Sequence, residues 1–245
     1  MPGTLTCTLS GNIGAGKSRL YDALIAKYNS ESRRKILPFT LHRLSEPVDI
    51  WVKEGTLRDF CEAVGSRKDD SRVPESVAFQ IRVLQTQIQT YERLRDSIPT
   101  HVPDSLDFTS ALSKTNIILS ERSPMDGLLV FVRAQHAQGL LNDVDATSLI
   151  WLYERLAWRP DAYIFVDASA ETCARRIRQR GRPEELAMSD LDGYVGLLHR
   201  HYAHYHETAM QRVPLLTLDN DTDSTDPDTL VNAAWDWLTE RAISK

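Results

Sequence analysis

The run Ser10-Gly11-Asn12-Ile13-Gly14-Ala15-Gly16-Lys17-Ser18 constrains this chain more than any other stretch. It has the spacing G-x-x-x-x-G-K-S and lies between an apolar strand candidate, Leu5-Thr6-Cys7-Thr8-Leu9, and a helical pattern carried by Leu20, Leu24 and Ile25. Each position has a physical reason. Glycines let the backbone wrap a polyphosphate with its N–H groups inward, the lysine reaches the terminal phosphates, and the serine hydroxyl can ligate Mg²⁺. The helix that follows turns the positive end of its dipole toward the same phosphates. The unit predicts an α/β protein that holds a nucleotide by its phosphates.

The rest of the chain alternates short apolar runs with amphipathic stretches. Ile36 to Leu41 reads as a second strand leading to Ser45-Glu46-Pro47, followed by a helix from Val48 to Val64 and a polar break from Gly65 to Ser71. Val77, Ile81, Leu84, Ile88 and Tyr91 recur at helical spacing from Pro74 to Arg95, and Ser97 to Lys114, with Pro99 and Pro103, reads as a long loop. The third strand, Asn116 to Ser120, runs into Glu121-Arg122-Ser123-Pro124; helices are expected from Asp126 to about Leu141 and from Ala146 to Trp158. Ala162 to Asp167 and Leu215 to Leu218 complete five strands, and a final helix carries Leu230, Ala233, Ala234, Trp237 and Leu238 on one face. Such alternation implies a parallel sheet covered by helices on both faces, with ligands at the carboxyl ends of its strands.

Composition narrows the partners. A chain of 245 residues suits one sizeable α/β domain spanning 1–245, and a net charge of −5 argues against a nucleic-acid-binding surface. Cys7, Cys61 and Cys173 are odd in number and widely spaced, which suggests free buried thiols in a reducing compartment. No apolar run approaches the roughly 20 residues that cross a bilayer. With the first strand occupying the residues before Gly11, an uncleaved signal peptide has no room, and a cytoplasmic location is expected. His199, His201, His204 and His206 are dense but point to different sides of a helix, so surface histidines are expected rather than a metal site. The acidic run from Asp219 to Asp228 lacks the glycine and terminal glutamate of a calcium loop, and Trp235 and Trp237 read as packing for the final helix.

Three strand ends therefore carry chemistry: the phosphate loop, Glu46-Pro47-Val48 with Trp51, and Glu121-Arg122-Ser123. Phosphoryl transfer to a hydroxyl needs in-line positioning, a metal, positive charge on the transferring group and a base for the hydroxyl proton. Candidates for all four are present.

In this order the motifs resemble the deoxyribonucleoside kinases. The resemblance covers nearly the whole chain: the loop Gly11 to Ser18, Glu46-Pro47-Val48 with Trp51, Phe79-Gln80, Glu121-Arg122-Ser123, the arginine-rich stretch from Glu171 to Glu185, and Val213 to Asp219. It implies the P-loop kinase fold with an arginine-rich lid at about 176–187, ATP as donor with Mg²⁺, and transfer to the 5′-hydroxyl of a deoxynucleoside. Glu46 would be the general base, Arg122 would hold that carboxylate and the incoming phosphate, and Lys17 and Arg182 would assist the transfer. Ser18 and Glu121 would serve the metal. Gln80 would bond the base edge, Phe131 would stack on it, and Trp51, Phe79 and Gly127 would line the same pocket. Arg176 and Arg180 would clamp phosphates, Glu185 would bind the 3′-hydroxyl, and the loop from Asp219 to Asp223 would contact adenine. The resemblance further implies a homodimer through the helices after Pro74 and Asp126.

The chain also departs from that pattern. Asp69 stands where a tyrosine often helps hold the 3′-hydroxyl, and Pro183 is unusual within a lid. Gln87 and Gly127 replace an arginine–aspartate pair found in members that prefer deoxycytidine and purines, which leaves room for a 5-methyl group and predicts a preference for thymidine and deoxycytidine. A nucleoside monophosphate kinase of the thymidylate kinase type and a non-catalytic nucleotide switch are the alternatives. Glu46-Pro47-Val48 with Gln80 argues for a nucleoside acceptor over both, since a switch needs no amide to read a base.

Overall fold

The computed structural model describes residues 3–66, 73–98, 114–222 and 226–244. Its strands are β1 (Thr4–Ser10), β2 (Phe39–Leu44), β3 (Thr115–Glu121), β4 (Ala162–Asp167) and β5 (Leu215–Asp219). They form one parallel sheet in the order β2-β3-β1-β4-β5. The helices are α1 (Lys17–Glu31), α2 (Val48–Lys53), α3 (Thr56–Ser66), α4 (Pro74–Ser97), α5 (Pro124–Asp126), α6 (Arg133–Ala137), α7 (Asp143–Leu156), α8 (Ala170–Arg180), α9 (Pro183–Leu186), α10 (Leu191–Thr208) and α11 (Pro227–Ile243). A π-helical segment, Gly127–Val132, joins α5 to α6.

Both faces of the sheet are covered, which is why its central strands read as apolar runs rather than alternating ones. On one face Cys7, Leu9, Ile117 and Ile164 pack with Leu20, Leu24, Ile177, Ala234 and Leu238 from α1, α8 and α11. Phe39 sits between Tyr28 and Trp235, with ring centroids 5.9 and 5.6 Å away. Trp235 is thus core packing, as expected, and Trp237 packs partly buried against the same cluster. On the other face Tyr163 and Phe165 pack with Tyr194, Leu198 and Tyr202 of α10 and with Val130 and Ala134.

Several boundaries differ from expectation, each for a local reason. The second strand begins at Phe39, after Pro38, which has no N–H to donate to a ladder, and Ile36 is exposed. The helix expected over Val48 to Val64 is two helices, because Gly55 adopts φ 78° between them. The helix expected from Asp126 to Leu141 starts at Pro124 under a capping box of Ser123 and Asp126 and ends at Ala137, before Gly139 at φ 70°. The next starts at Asp143 because the Asn142 side chain accepts from the Asp145 N–H. Asp69, Asp223 and most of the Ser97 to Lys114 loop lie outside the described residues.

Candidate active site

The phosphate loop is shaped by close backbone approaches. A Cβ at Gly11 would lie 2.3 Å from the Val166 carbonyl oxygen, and one at Gly14 would lie 2.4 Å from that of Cys173. Side chains pin the loop from behind. Asn12 accepts from the Ile13 N–H at 2.8 Å and donates to the Val195 carbonyl at 3.1 Å, while Asn220 donates to the Ala15 carbonyl at 2.7 Å. Lys17 is buried and donates to the Asn12 carbonyl at 2.7 Å. Burial, followed by the charge of Arg122, pushes its ammonium down to about 7. Beside it the Ser18 hydroxyl donates to Glu121 Oε1 at 2.5 Å, so a hydroxyl and a carboxylate meet at the mouth of the loop.

Glu46, just beyond the end of β2, meets Arg122, just beyond the end of β3. Arg122 Nη1 donates to Glu46 Oε2 at 2.7 Å, with the side chains only 9% and 11% exposed for Arg122 and Glu46. Arg122 is the one non-glycine residue at positive φ (60°) among the described residues, and its N–H still bonds the Leu9 carbonyl of β1 at 3.0 Å. The chain is turned out of the sheet at that residue at a cost in backbone strain, and the side chain thereby enters the cleft. Burial raises the Glu46 carboxyl above the ordinary carboxylate range; Arg122 opposes the rise and Glu121 adds to it.

A slot between two helical stripes lies next to this pair. One stripe is Gln80, Val83 and Gln87 on α4, and the other is Gly127, Phe131 and Gln135, spaced by four along the π segment and α6. Phe79 stacks on Phe60 at 4.9 Å and meets Trp51 edge-on at 5.6 Å, closing the slot with aromatic surface. Phe131 lies under Arg122, whose guanidinium carbon is 5.2 Å from the ring centre. Gln80 is almost wholly buried, and the Tyr153 hydroxyl lies 3.2 Å from its Oε1 and 3.3 Å from its carbonyl oxygen. Gly127 lines the cleft, and a Cβ there would lie 2.7 Å from the same hydroxyl. A side chain at that position would have to displace Tyr153.

The arginines of the expected lid span the end of α8 and the start of α9. Arg176 and Arg180 lie in the last turns of α8, which Gly181 ends in the left-handed conformation at φ 70°, and Pro183 opens the one-turn α9 at a position proline favours. Arg176 donates to the Asn220 carbonyl at 2.9 Å. Arg180 and Arg182 both reach the Glu185 carboxylate, at 2.6 and 2.9 Å.

Nearly every side chain singled out from the sequence lines one cleft of about 1160 Å³: Ile13, Gly14, Gly16, Lys17, Ser18, Glu46, Trp51, Phe79, Gln80, Glu121, Arg122, Gly127, Phe131, Arg176, Arg180, Arg182 and Glu185. Gly11, Asn12 and Ala15 shape the loop without lining that cleft. Residues 7–236 match the family described as deoxynucleoside kinase. The chain belongs to the deoxynucleoside kinase family. The kinase is 28% identical over 209 residues to the thymidine kinase of Ictalurid herpesvirus 1 (strain Auburn), covering 82% of this chain and 74% of that protein. It is 26% identical over 237 residues to the deoxycytidine kinase of Homo sapiens, covering 89% and 85%. Its fold is similar to that of a deoxyadenosine kinase from M. mycoides solved with the products dCMP and a flexible dCDP bound, with a TM-score of 0.70 at 18% identity over 96% of this chain and 100% of that one.

Sequence reading missed Tyr153, Tyr194 and Gln135 of this kinase. Tyr194 and Gln135 are buried and line the cleft. Gln135 stands four residues after Phe131 on the same helical stripe, and that spacing was a usable signal. Nothing local marks Tyr153. The histidines of α10 join no cluster of three or more possible metal ligands among the described residues.

Proposed function

We propose that this kinase transfers the γ-phosphoryl group of ATP to the 5′-hydroxyl of pyrimidine deoxynucleosides, thymidine and deoxycytidine. The carrying observation is the buried Glu46–Arg122 pair, which lines the same cleft as Lys17 of the phosphate loop and the amide of Gln80. Glu46 takes the hydroxyl proton, a task to which a raised carboxyl is suited. Arg122 orients that carboxylate through Nη1, which leaves Nη2, buried and without a hydrogen-bond partner, for the phosphoryl oxygens. Arg180 and Arg182 exchange Glu185 for phosphate, and Arg176 borders the donor site. Glu185, once released, is available to the sugar 3′-hydroxyl. Ser18 and Glu121 would supply oxygen ligands to Mg²⁺, which would neutralise charge on the transferring group.

The base preference rests on the slot. Gln80 and Gln87 present neutral amides, and the Gly127 position carries no carboxylate. A hydroxyl such as that of Tyr153 can donate to or accept from the Gln80 amide, so either amide orientation is supported, one for thymine and one for cytosine. The kinase's similarity to a thymidine kinase and a deoxycytidine kinase supports the same reading. Labelled ATP and Mg²⁺ with thymidine, deoxycytidine, thymidine monophosphate or no acceptor provide the test. The expected products are the two nucleoside monophosphates. Transfer only to the monophosphate would establish a nucleoside monophosphate kinase, and hydrolysis without any acceptor a switch.

We assign the homodimer surface to α4 and α7 rather than to the helix after Asp126. That helix turns Leu128, Val130, Val132 and Ala134 inward, whereas Ile81, Val144, Trp151 and Leu156 are exposed on α4 and α7. No helix among the described residues is long and apolar enough to cross a membrane. The three free, buried thiols support a reducing compartment such as the cytoplasm.

A further inference from the structure

Behind the Glu46–Arg122 pair a polar chain runs into the core. Arg122 Nε donates to the Tyr202 hydroxyl at 3.2 Å, and that hydroxyl donates to Asp126 Oδ1 at 3.3 Å. Asp126 is fully buried. Its Oδ2 accepts from the Ser123 N–H at 2.9 Å and from the Ser123 hydroxyl at 2.8 Å, and its Oδ1 also accepts from the Ser10 hydroxyl. Capping α5 accounts for Oδ2 alone. Oδ1 instead gathers groups from the end of β1 and from α10, and through Tyr202 it faces the guanidinium.

The direction of the bonds gives the chain its effect. Because Arg122 occupies a lone pair of the Tyr202 oxygen, the single phenolic proton goes to Asp126, and each bond polarises the next. Burial keeps Tyr202 protonated through ordinary pH, so it remains a donor. An arginine attached to a strained backbone turn could swing its planar head through several orientations. With Nε tied to Tyr202 and Nη1 tied to Glu46, the plane of the guanidinium is determined. The Tyr202 ring also meets Phe131 edge-on at 6.3 Å, so one residue braces both the guanidinium and the stacking ring beneath it.

We propose that Tyr202 and Asp126 are positioning residues that hold Arg122, and through it Glu46, in the geometry for phosphoryl transfer. The inference rests on the reading of Glu46 as the base. Tyr202→Phe keeps the ring and its packing and removes only the hydroxyl, and Asp126→Asn weakens the far end of the same chain. For either variant kcat is expected to fall about tenfold while the KM values for nucleoside and ATP stay within about twofold. Introduced into Arg122→Ala, the same change is expected to lower kcat by less than about twofold, because the group being positioned is already absent. Assays are run well below the melting temperature of each variant, and either variant alone completes the cycle. Equal losses in the two backgrounds, or an unchanged kcat in both single variants, would overturn the proposal. If Glu46→Gln itself retains near-normal kcat, the underlying reading of the base has failed instead.

Discussion

The active cleft contains two arginine–glutamate clusters that differ in almost everything except residue type. Arg122 and Glu46 are joined by one bond in a nearly closed site, braced by Tyr202 and Asp126 and by a strained turn at the end of β3. Arg180, Arg182 and Glu185 cluster around the junction of α8 and α9, with the arginines 38% and 31% exposed and Glu185 12%. The energetics follow from solvent. Pairs whose cations reach solvent contribute roughly 0–1 kcal/mol, so the proposed exchange of carboxylate for phosphate at Arg180 and Arg182 would cost little. A buried pair is expensive to break, because each partner would be left as an uncompensated charge. On the proposed function, the first cluster would hold one geometry and the second would change partners.

The most severe way to break this contrast is Glu46→Gln, which keeps shape and hydrogen bonding but removes the proton acceptor. We expect kcat to fall roughly 10²–10⁴-fold in steady-state assays, with the far-UV circular dichroism unchanged. The pH profile sharpens the assignment. Glu46 accepts a proton only when ionised and burial raises its carboxyl, so wild-type kcat should fall as pH drops through a limb above the ordinary carboxylate range. That limb should be absent from Glu46→Gln.

Arg182→Ala removes charge from the more exposed cluster instead. A loss of about 10²-fold in kcat, roughly 2.7 kcal/mol of transition-state stabilisation, is expected. A change confined to the nucleoside KM would place Arg182 away from the phosphate.

Gly127→Ala probes the packing between the clusters and the base slot. The added carbon would meet Tyr153 at 2.7 Å, and overpacking of this kind should cost about 1–3 kcal/mol, read as a lower midpoint in urea unfolding. This clash also means that a larger residue at 127 reports on strain as well as base preference.

The smallest expected effect is on stability in Glu185→Gln. Both arginine partners are left in contact with solvent, so the substitution should shift unfolding by less than about 1 kcal/mol, and the shift should shrink further as salt is raised. The nucleoside KM of the same variant should rise, because the group offered to the sugar is weakened. A destabilisation of several kcal/mol would show that the lid is as rigid as the Arg122 cluster.

Much of this was legible in the amino-acid order because it depends on short spacing. The phosphate loop, the alternation of strands with helices, and the placing of Glu46 and Glu121-Arg122 at strand ends all follow from periodicity and from glycine and proline positions that act over a few residues. The exact helix limits were less legible, since Gly55, Asn142 and the π segment after Asp126 work through single caps and bends. What only the tertiary structure decided is which distant groups meet. Arg122 and Tyr202 are 80 residues apart in sequence, and Gln80 and Tyr153 are 73 apart. Parallel strands need long crossovers, so each carboxyl-terminal strand end is surrounded by side chains from elements far along the chain. A hydroxyl that braces an arginine and a phenol that fills the space beside a glycine have no local signature, because burial and direction are properties of the assembled layers.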